Sequence, residues 1–266
     1  MISKKHIPAI NKEGYSFIII GIVAVFLLVN IFPAIAWFAS LITIFIICFF
    51  RDPERSVPHQ AGLIVSPADG LVSKIEDAYA PEELGLPKKL YKRVSIFLSV
   101  FNVHVNRVPV AGKITALHYR AGKFLNASLD KASVDNERQS CVVQTKSGEK
   151  IIFVQIAGLI AKRIICDLEE GQEVATGERF GIIRFGSRVD LYLPQQTKIE
   201  VREGQTMLGG ETVIAALSQA TKAPAKLAKT QAKTVKVKAK VNTPKAKPKK
   251  SINKAKATPK KGNKKS

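Results

Sequence analysis

The stretch EGQEVATGERFGIIRFGSRVDLYLP (residues 170–194) decides the fold that we expect for this chain. It begins with a glycine-punctuated turn and continues through two apolar runs, 180–185 and 188–193, which meet at Gly186-Ser187. Short apolar runs bounded by glycine and proline are typical of strands in β-rich sandwiches and barrels. The stretch therefore predicts two consecutive strands with a Gly-Ser junction between them.

The turn that opens this stretch recurs further along the chain. EGQEVATGE (170–178) and EGQTMLGGE (203–211) share one pattern, and each leads into an apolar run. Such turns, like IVSPADGLV (64–72), resemble the halves of a lipoyl- or biotinyl-type barrel. We interpret them as matched hairpin turns that would hold Ser187 on a rigid β scaffold.

Composition divides the chain into a basic leader (1–14), an uncharged apolar segment (15–50), a mixed segment (51–217) and a tail (218–266). The tail has no acidic residue and holds 17 of the 42 basic residues, so the other 25 basic and 21 acidic residues leave a net charge of +4. A tail of this composition cannot bury a core. The expected fold class is a mainly β, sandwich- or barrel-like domain over 51–217, preceded by a helical hairpin and followed by a disordered basic tail.

The apolar segment is too long for one membrane span, which needs about 20 residues. Asn30 and Pro33 interrupt it, so we expect two short helices, 15–32 and 34–50, in a transmembrane or re-entrant hairpin. Basic residues precede and follow the hairpin, at Lys4, Lys5, Lys12, Arg51 and Arg55. The positive-inside rule then places both ends, and the domain after residue 50, on the cytoplasmic face of the cell (inner) membrane.

A cleaved signal peptide is the competing interpretation, because Ala34-Ile35-Ala36 resembles a cleavage site after a basic start. The apolar run continues beyond that point to Phe50. This continuation favours the retained hairpin.

Gly186-Ser187 can support self-cleavage. A serine can attack the carbonyl of a preceding glycine, which lacks a Cβ and leaves that carbonyl open. The resulting N→O shift and β-elimination would cut the chain and leave a pyruvoyl group at residue 187. Gly-Ser also occurs in ordinary turns, so the dipeptide alone leaves both interpretations open.

Seven ordered segments surround this junction and carry a resemblance. They are FFRDPER (49–55), VSPADG (65–70), FNVHVNRVPVAG (101–112), GKFLNASLDKAS (122–133), NER (136–138), QIAGLIAKRI (155–164) and RFGSR (184–188). Together they resemble the phosphatidylserine decarboxylase proenzymes, in particular the short class with Gly-Ser-Arg at the cleavage point, over about residues 50–216.

The resemblance implies an activity and a processed state. The chain would cleave itself between Gly186 and Ser187 and convert phosphatidylserine to phosphatidylethanolamine and CO2 in phospholipid biosynthesis. Its cofactor would be the pyruvoyl group made from Ser187, with no diffusible cofactor and no metal. The large chain 1–186 and the small chain 187–266 would stay together as a heterodimer. A non-catalytic, membrane-anchored lipoyl-barrel adaptor is the alternative.

Two further residues are candidates for the cleavage chemistry. Alternation places Asn102, His104 and Asn106 on one face of a strand, which by pattern alone is a solvent face, and Asp69 is by pattern alone a turn former. The resemblance implies that His104 is the base for Ser187 and the proton donor in turnover, with Asp69 orienting it as in other triads. Arg107 stands where the longer class has a second histidine.

The remaining expectations concern charged groups. Arg138, Lys162 and Arg163 are candidates for binding the phosphate and carboxylate of the substrate, although each also fits a surface charge. The basic tail fits attraction to an anionic membrane, or nucleic-acid binding through the tail alone. The hairpin already predicts a position at the bilayer, so lipid is the favoured partner of the tail.

Overall fold

The computed structural model describes residues 8–122, 136–158, 163–184 and 187–217. The chain divides into two units, Met1–Ala223 and Pro224–Ser266, and every described residue belongs to the first. Half of the predicted leader (1–7) and the whole predicted tail lie outside the described residues. Their expected properties therefore stay predictions.

Two helices form a hairpin where the apolar segment predicts one. After a 3-10 turn at Lys12–Gly14, α1 covers Tyr15–Leu28 and α2 covers Pro33–Phe49. Pro33 begins α2, where its fixed φ suits a helix start. A Cβ at Gly21 would lie 2.5 Å from Thr43 Oγ1, so the glycine permits close packing of the two helices.

The hairpin exposes an apolar surface. Phe26 and Trp37 are more than two-thirds exposed, and many of the aliphatic side chains of α1 and α2 are exposed as well. Within the described part of the chain, no helix combines the length and the apolar character needed to cross a membrane.

The described residues form fifteen strands, and a 3-10 turn at Glu82–Leu84 lies between the fourth and the fifth. The strands are β1 Ala9–Ile10, β2 Arg51–Asp52, β3 Leu63–Val65, β4 Gly70–Tyr79, β5 Leu90–Leu98, β6 Val105–Arg107, β7 Gly112–Arg120, β8 Arg138–Gln144, β9 Lys150–Ala157, β10 Ile164–Cys166, β11 Glu173–Val174, β12 Arg179–Ile183, β13 Ser187–Pro194, β14 Thr206–Met207 and β15 Val213–Ala216.

Eight of these strands form one antiparallel sheet in the order β11-β7-β8-β9-β13-β5-β4-β14. The sheet curls into a half-barrel, and β13 lies at its centre with β9 and β5 as hydrogen-bonded neighbours. Alternate residues of β13, Val189, Leu191 and Leu193, pack into the main core. The expected mainly β fold is confirmed, and its central strand begins at Ser187.

A three-stranded sheet, β10-β12-β6, packs on the face of the large sheet that carries Val189, Leu191 and Leu193. Phe180 and Ile183 of β12 and Ile164 of β10 belong to the main core, and Phe180 packs edge-on against Phe153 of β9 with ring centroids 4.9 Å apart. The chain therefore passes from the small sheet to the large one between β12 and β13. This crossing contains the Gly-Ser junction.

A separate apolar cluster joins the hairpin to the small sheet. Phe49 and Phe50, at the end of α2, pack against Val103, Val105 and Ile182. The hairpin is thus in direct contact with the strand that follows His104.

The repeated glycine turns adopt matching conformations. Gly171 and Gly204 have φ values of 88° and 79°, a region that glycine enters without the steric cost of a Cβ. Gly171 N–H donates to the Ile114 carbonyl on β7, and Gly204 N–H donates to the Val72 carbonyl on β4, each at 2.8 Å. The two turns are therefore matched, as predicted, and β7 and β4 lie on opposite sides of β13, but neither turn closes a hairpin, because the strands that follow them, β11 and β14, pair with β7 and β4.

The short runs 160–166 and 197–201 predict a helix and a strand respectively, and both predictions are wrong. The helix expected around 160–166 is replaced, over its described part, by β10, which pairs with β12. The strand expected over 197–201 is reduced to a single bridge between Ile199 and Ala215. Periodicity does not separate helix from strand in such short apolar runs, and tertiary pairing decides between them.

Candidate active site

Ser187 is fully buried at the first position of β13. It pairs with Leu98 of β5 on one side and with Ala157 of β9 on the other. Its Oγ has no hydrogen-bond partner among the described residues. Gly186, the other half of the predicted cleavage site, lies outside the described residues.

His104 is also fully buried, just before β6. Its Nδ1 lies 2.9 Å from the Asn102 carbonyl, and its ring packs on Phe49 with centroids 4.1 Å apart. No partner for Nε2 occurs in the described part of the chain. Burial lowers the pKa of His104 to about 4, against a smaller opposing effect of the hydrogen bond to Asn102. The imidazole is therefore neutral at pH 7 and can accept a proton.

A hydrogen bond between two side chains links β6, the strand that follows His104, to β9 of the large sheet. Gln155 Nε2 donates to Asn106 Oδ1 at 2.9 Å. Asn106 lies two residues after His104, while Gln155 pairs with Val189 and so is the diagonal neighbour of Ser187, about 7–8 Å away by strand geometry.

Several buried polar atoms in this region have no partner among the described residues; they include Ser187 Oγ, His104 Nε2, Asn106 Nδ2, Gln155 Oε1 and Glu137 Oε2. Folded proteins leave few buried polar atoms unpaired, and those that remain often serve catalysis or bind a missing group. This concentration at the junction supports the sequence prediction that chemistry takes place here.

Asp69 has partners other than His104. Its carboxylate accepts hydrogen bonds from Arg55 Nη2 at 2.7 and 2.9 Å and from the Gly209 N–H at 2.7 Å. Within the described residues no hydrogen bond joins Asp69 to His104, and the His104 nitrogen that could receive such an orienting contact faces the Asn102 carbonyl. The structure thus ties Asp69 to the segment that follows the hairpin. Its expected role in orienting His104 has no contact to support it here.

Arg107 occupies a structural position. Its guanidinium donates to the Gly177 carbonyl at 2.9 Å and to the Pro53 carbonyl at 3.0 Å, and it lies 3.4 Å from the Asp52 carboxylate. It holds the segment after the hairpin against the small sheet. A second catalytic histidine therefore has no counterpart at this position.

The two predicted substrate-binding cations that the structure describes, Arg138 and Arg163, are not together. Arg138 is buried on the opposite face of the large sheet from Ser187, where it pairs with Glu83 at 2.6 Å and lines a cavity of about 710 Å³. Arg163 is exposed, and its carbonyl accepts the Arg184 N–H at 3.3 Å, three residues before Ser187. Lys162 lies outside the described residues. Of these two residues, only Arg163 contacts the segment that leads into the junction, through its hydrogen bond with Arg184.

Arg184, three residues before Ser187, contacts the hairpin. Arg184 pairs with Glu13 at 2.5 Å, and its guanidinium lies 5.3 Å from the centroid of the Phe17 ring. The expected cleavage segment is thus fixed on one side by the start of α1 and on the other by β13.

Two polar residues of this region are absent from the sequence prediction. Gln155 is the single polar residue in the interior of a buried strand, KIIFVQIA (150–157), and Glu137 lies directly before the neighbouring strand β8. A lone glutamine in an apolar run is the signal that could have identified Gln155. Nothing in the local pattern separates Glu137 from an ordinary surface carboxylate.

Comparison with known proteins shows the family of this chain. A model of the family described as phosphatidylserine decarboxylase matches residues 42–215. Proteins named phosphatidylserine decarboxylase proenzyme from Rickettsia akari (strain Hartford) and Rickettsia africae (strain ESF-5) are each 58% identical over 206 residues, which cover 77% of this chain and 89% of theirs. One from Rickettsia typhi (strain ATCC VR-144 / Wilmington) is 57% identical over the same shares.

The family match includes the hairpin's end, both glycine turns and the Gly-Ser junction, and the relatives carry the same family name at high identity. The resemblance inferred from the sequence is confirmed at the level of the family, and assignment to the short class stays a prediction. The chain belongs to the phosphatidylserine decarboxylase family.

Proposed function

We propose that this chain performs the reaction for which its family is named, the decarboxylation of phosphatidylserine to phosphatidylethanolamine and CO2. It first cleaves itself between Gly186 and Ser187 and keeps a pyruvoyl group at residue 187. The relatives' name, proenzyme, is consistent with such processing.

The observation that carries the proposal is the environment of Ser187. A hydroxyl that is fully buried and has no partner among the described residues is costly unless something uses it. Here it begins a central strand, directly after the junction that must break. The nucleophile is thus held at the point of attack by strands on both sides.

The same residues fit a pyruvoyl group at position 187. Such a group is small and uncharged, and the ketone it adds can accept a hydrogen bond from a donor such as Asn106 Nδ2, which has no partner among the described residues. The pyruvoyl group supplies a ketone that accepts the amine of the substrate and withdraws electrons as CO2 leaves. Residue 187 stays in register with Leu98 and Ala157 without the bond to Gly186.

His104 supplies the proton transfers in this proposal. Its neutral imidazole accepts the Ser187 hydroxyl proton at Nε2 during cleavage and later returns a proton to the carbon that has lost CO2. Arg163, exposed beside the junction, is placed to attract the anionic groups of the lipid head.

The two products of cleavage would remain assembled. β13 is hydrogen-bonded along its length to β5 and β9, which belong to the large chain. β14 and β15 of the small chain pair with β4 and β3. Separation would break four strand pairings and expose the main core, so a stable heterodimer is expected.

Intact mass under denaturing conditions tests the proposal. The purified protein is expected to give two chains, 1–186 and 187–266, and the smaller should lack a free amino terminus because the pyruvoyl group replaces it. The same preparation should release CO2 from phosphatidylserine in detergent micelles. A single unprocessed chain with full turnover would refute the pyruvoyl mechanism.

The exposed apolar hairpin suggests where the enzyme works. We propose that α1 and α2 enter the cell membrane from the cytoplasmic side and hold the β domain at the headgroup level. A helix rises about 1.5 Å per residue, so both helices reach well into a hydrocarbon core of about 30 Å. The lysines of the tail would add attraction to anionic lipid. Nucleic-acid binding by the tail is the other prediction for that segment.

Protease accessibility tests this placement. The β domain should resist external protease in right-side-out spheroplasts and be digested in inside-out vesicles of the same membrane. Digestion in intact spheroplasts would reverse the proposed orientation, and recovery of the wild-type protein free of membranes would remove the anchoring role of the hairpin.

The non-catalytic adaptor is not supported by the comparisons, which match the chain to a family of enzymes over most of the β domain. The lipoyl-like turns are present, but they frame a buried nucleophile at the centre of the sheet. No observation favours a second function over the decarboxylase.

A further inference from the structure

A buried carboxylate lies two strands away from Ser187, across Ala157, and has no part in the chemistry described above. Glu137 is 5% exposed. Its Oε1 accepts hydrogen bonds from the Tyr119 hydroxyl at 3.0 Å and from the Ile164 N–H at 3.2 Å. Its Oε2 has no partner among the described residues. One oxygen is therefore fixed by the fold, and the other is left open in a place where an unpaired charge is costly.

Glu137 lies in one row with Ser187 across the large sheet. The Ala157 N–H donates to the Glu137 carbonyl at 2.9 Å, and Ala157 is the register partner of Ser187. Side chains of the same phase on these three strands, such as Cys141, Phe153 and Val189, pack into the main core. Glu137, Ala157 and Ser187 therefore present their side chains to the same face.

The spacing of this row sets the distance between Glu137 and Ser187. Neighbouring strands lie about 4.8 Å apart, so the backbones of Glu137 and Ser187 are roughly 10 Å apart. The residue between them, Ala157, contributes a single methyl group. A position above Ala157 is thus bounded on one side by residue 187 and on the other by a carboxylate oxygen without a partner.

We propose that Glu137 receives the ammonium group of the substrate and removes a proton from it. The inference rests on the proposed function, because an amine must reach residue 187 in neutral form. Glu137 Oε2 accepts a hydrogen bond from the ammonium and then takes its proton: one N–H bond breaks, one O–H bond forms at Oε2, and the nitrogen keeps the electron pair. The carboxylate also selects for headgroups that carry a primary ammonium.

The Tyr119 hydroxyl and the Ile164 N–H give this role its geometry. They hold Oε1 from two directions, so the carboxyl group keeps its orientation when Oε2 gains a proton. By contrast, the carboxylate of Glu83, on the other face of the sheet, has both oxygens engaged, with Arg138 and Ser140. Unlike Glu83, Glu137 keeps one carboxylate oxygen, Oε2, without a partner among the described residues, so that oxygen can bind a substrate group.

The test uses the processed enzyme and two amines that differ in their need for a base. Methoxyamine is neutral at pH 7, and its addition to residue 187 is read as a mass increase of the small chain. sn-Glycero-3-phosphoethanolamine carries an ammonium and should protect against that labelling. In Glu137→Gln we expect an unchanged rate of methoxyamine labelling, at least about tenfold weaker protection, and phosphatidylserine turnover at least about 100-fold lower.

Glu149→Gln is the matched control. Glu149 lies at the other end of the same two strands and accepts hydrogen bonds from the Thr145 and Ser147 hydroxyls. It should match the wild type in labelling, protection and turnover. Equal loss of protection in both variants would overturn the proposal, as would normal turnover and protection in Glu137→Gln, or loss of methoxyamine labelling together with turnover.

A second variant covers the case in which Glu137→Gln does not process. Ala157→Val keeps the carboxylate but fills the space above residue 157, so it should weaken protection by the phosphoethanolamine headgroup at least about tenfold. Unchanged protection would overturn the proposed position. If methoxyamine fails to label the wild type, the pyruvoyl group itself is missing, and the proposed function fails rather than the role of Glu137.

Discussion

Ser187→Ala is expected to remain a single chain of 266 residues, without the two cleavage products and without decarboxylase activity. The substitution removes only Oγ, the atom that must attack the preceding carbonyl. Because that oxygen has no hydrogen-bond partner among the described residues, its loss should leave the free energy of unfolding nearly unchanged. Denaturing mass spectrometry of the purified variant measures the outcome directly.

Ser95→Ala is the matched control for this experiment. Ser95 is a buried serine on β5, next to β13, and its hydroxyl likewise lacks a partner among the described residues. It should process and turn over as the wild type does. Cleavage before residue 187 in the alanine variant would show that the Ser187 hydroxyl is not the nucleophile that cuts the chain.

His104→Gln is expected to slow self-cleavage at least about 100-fold, the scale on which enzymes lose rate when one acid–base group is removed. Glutamine is uncharged and cannot accept the hydroxyl proton as a base. In the wild type the base is active in its neutral form, and the pKa of His104 is lowered to about 4 by burial. Cleavage should therefore hold its rate from pH 7 to about 5 and fall as protonation of His104 sets in near pH 4.

The pH profile and two variants make this prediction specific. A histidine with the ordinary pKa of 6.5 would begin to lose rate two units higher, which would contradict the buried, neutral base. His118→Gln is the control, because His118 lies on the opposite face of the large sheet and lines the outer cavity. Cleavage at the normal rate in His104→Gln would return His104 to a packing role against Phe49.

Asp69 can be assessed in the same assay. If its role is to pair with Arg55 at 2.7 Å, Arg55→Gln and Asp69→Asn should slow cleavage by similar factors. If Asp69 acts on His104, as the resemblance implies, Asp69→Asn alone should slow it, and by at least tenfold. The comparison separates an orienting aspartate from an anchor for the segment after the hairpin.

Much of the fold could be predicted because its signals are local. The glycine turns need φ values that other residues rarely adopt, so the repeated E-G-Q pattern predicts two matched tight turns, while the strands that each turn joins to the sheet are set by tertiary pairing. The break at Asn30 and Pro33 predicts two helices, although α1 ends earlier than expected. Where a short apolar run could be helix or strand, as at 164–166, pairing with another strand, here β12, decides its structure.

The site was predictable in part for the same reason. Ser187 was predicted from the Gly-Ser dipeptide. His104 was predicted because it lies in FNVHVNRVPVAG (101–112), one of the segments that carry the resemblance. The expected contact of Asp69 with His104 and the expected role of Arg138 near the substrate both depended on which face each side chain takes. In the structure Asp69 pairs with Arg55, and Arg138 points to the opposite side of the sheet.

The sequence by itself determined the family, the β-rich class and the helical hairpin, because each depends on residue types at fixed spacing along the chain. Tertiary structure alone decided that β13 is central, that Asn106 and Gln155 join the two sheets, and that Glu137 lies in one row with Ser187. These are relations between strands far apart in sequence, set by register and by the curl of the sheet. A shift of one residue in any of those pairings would turn each side chain to the other face, and no local pattern in the chain records that choice.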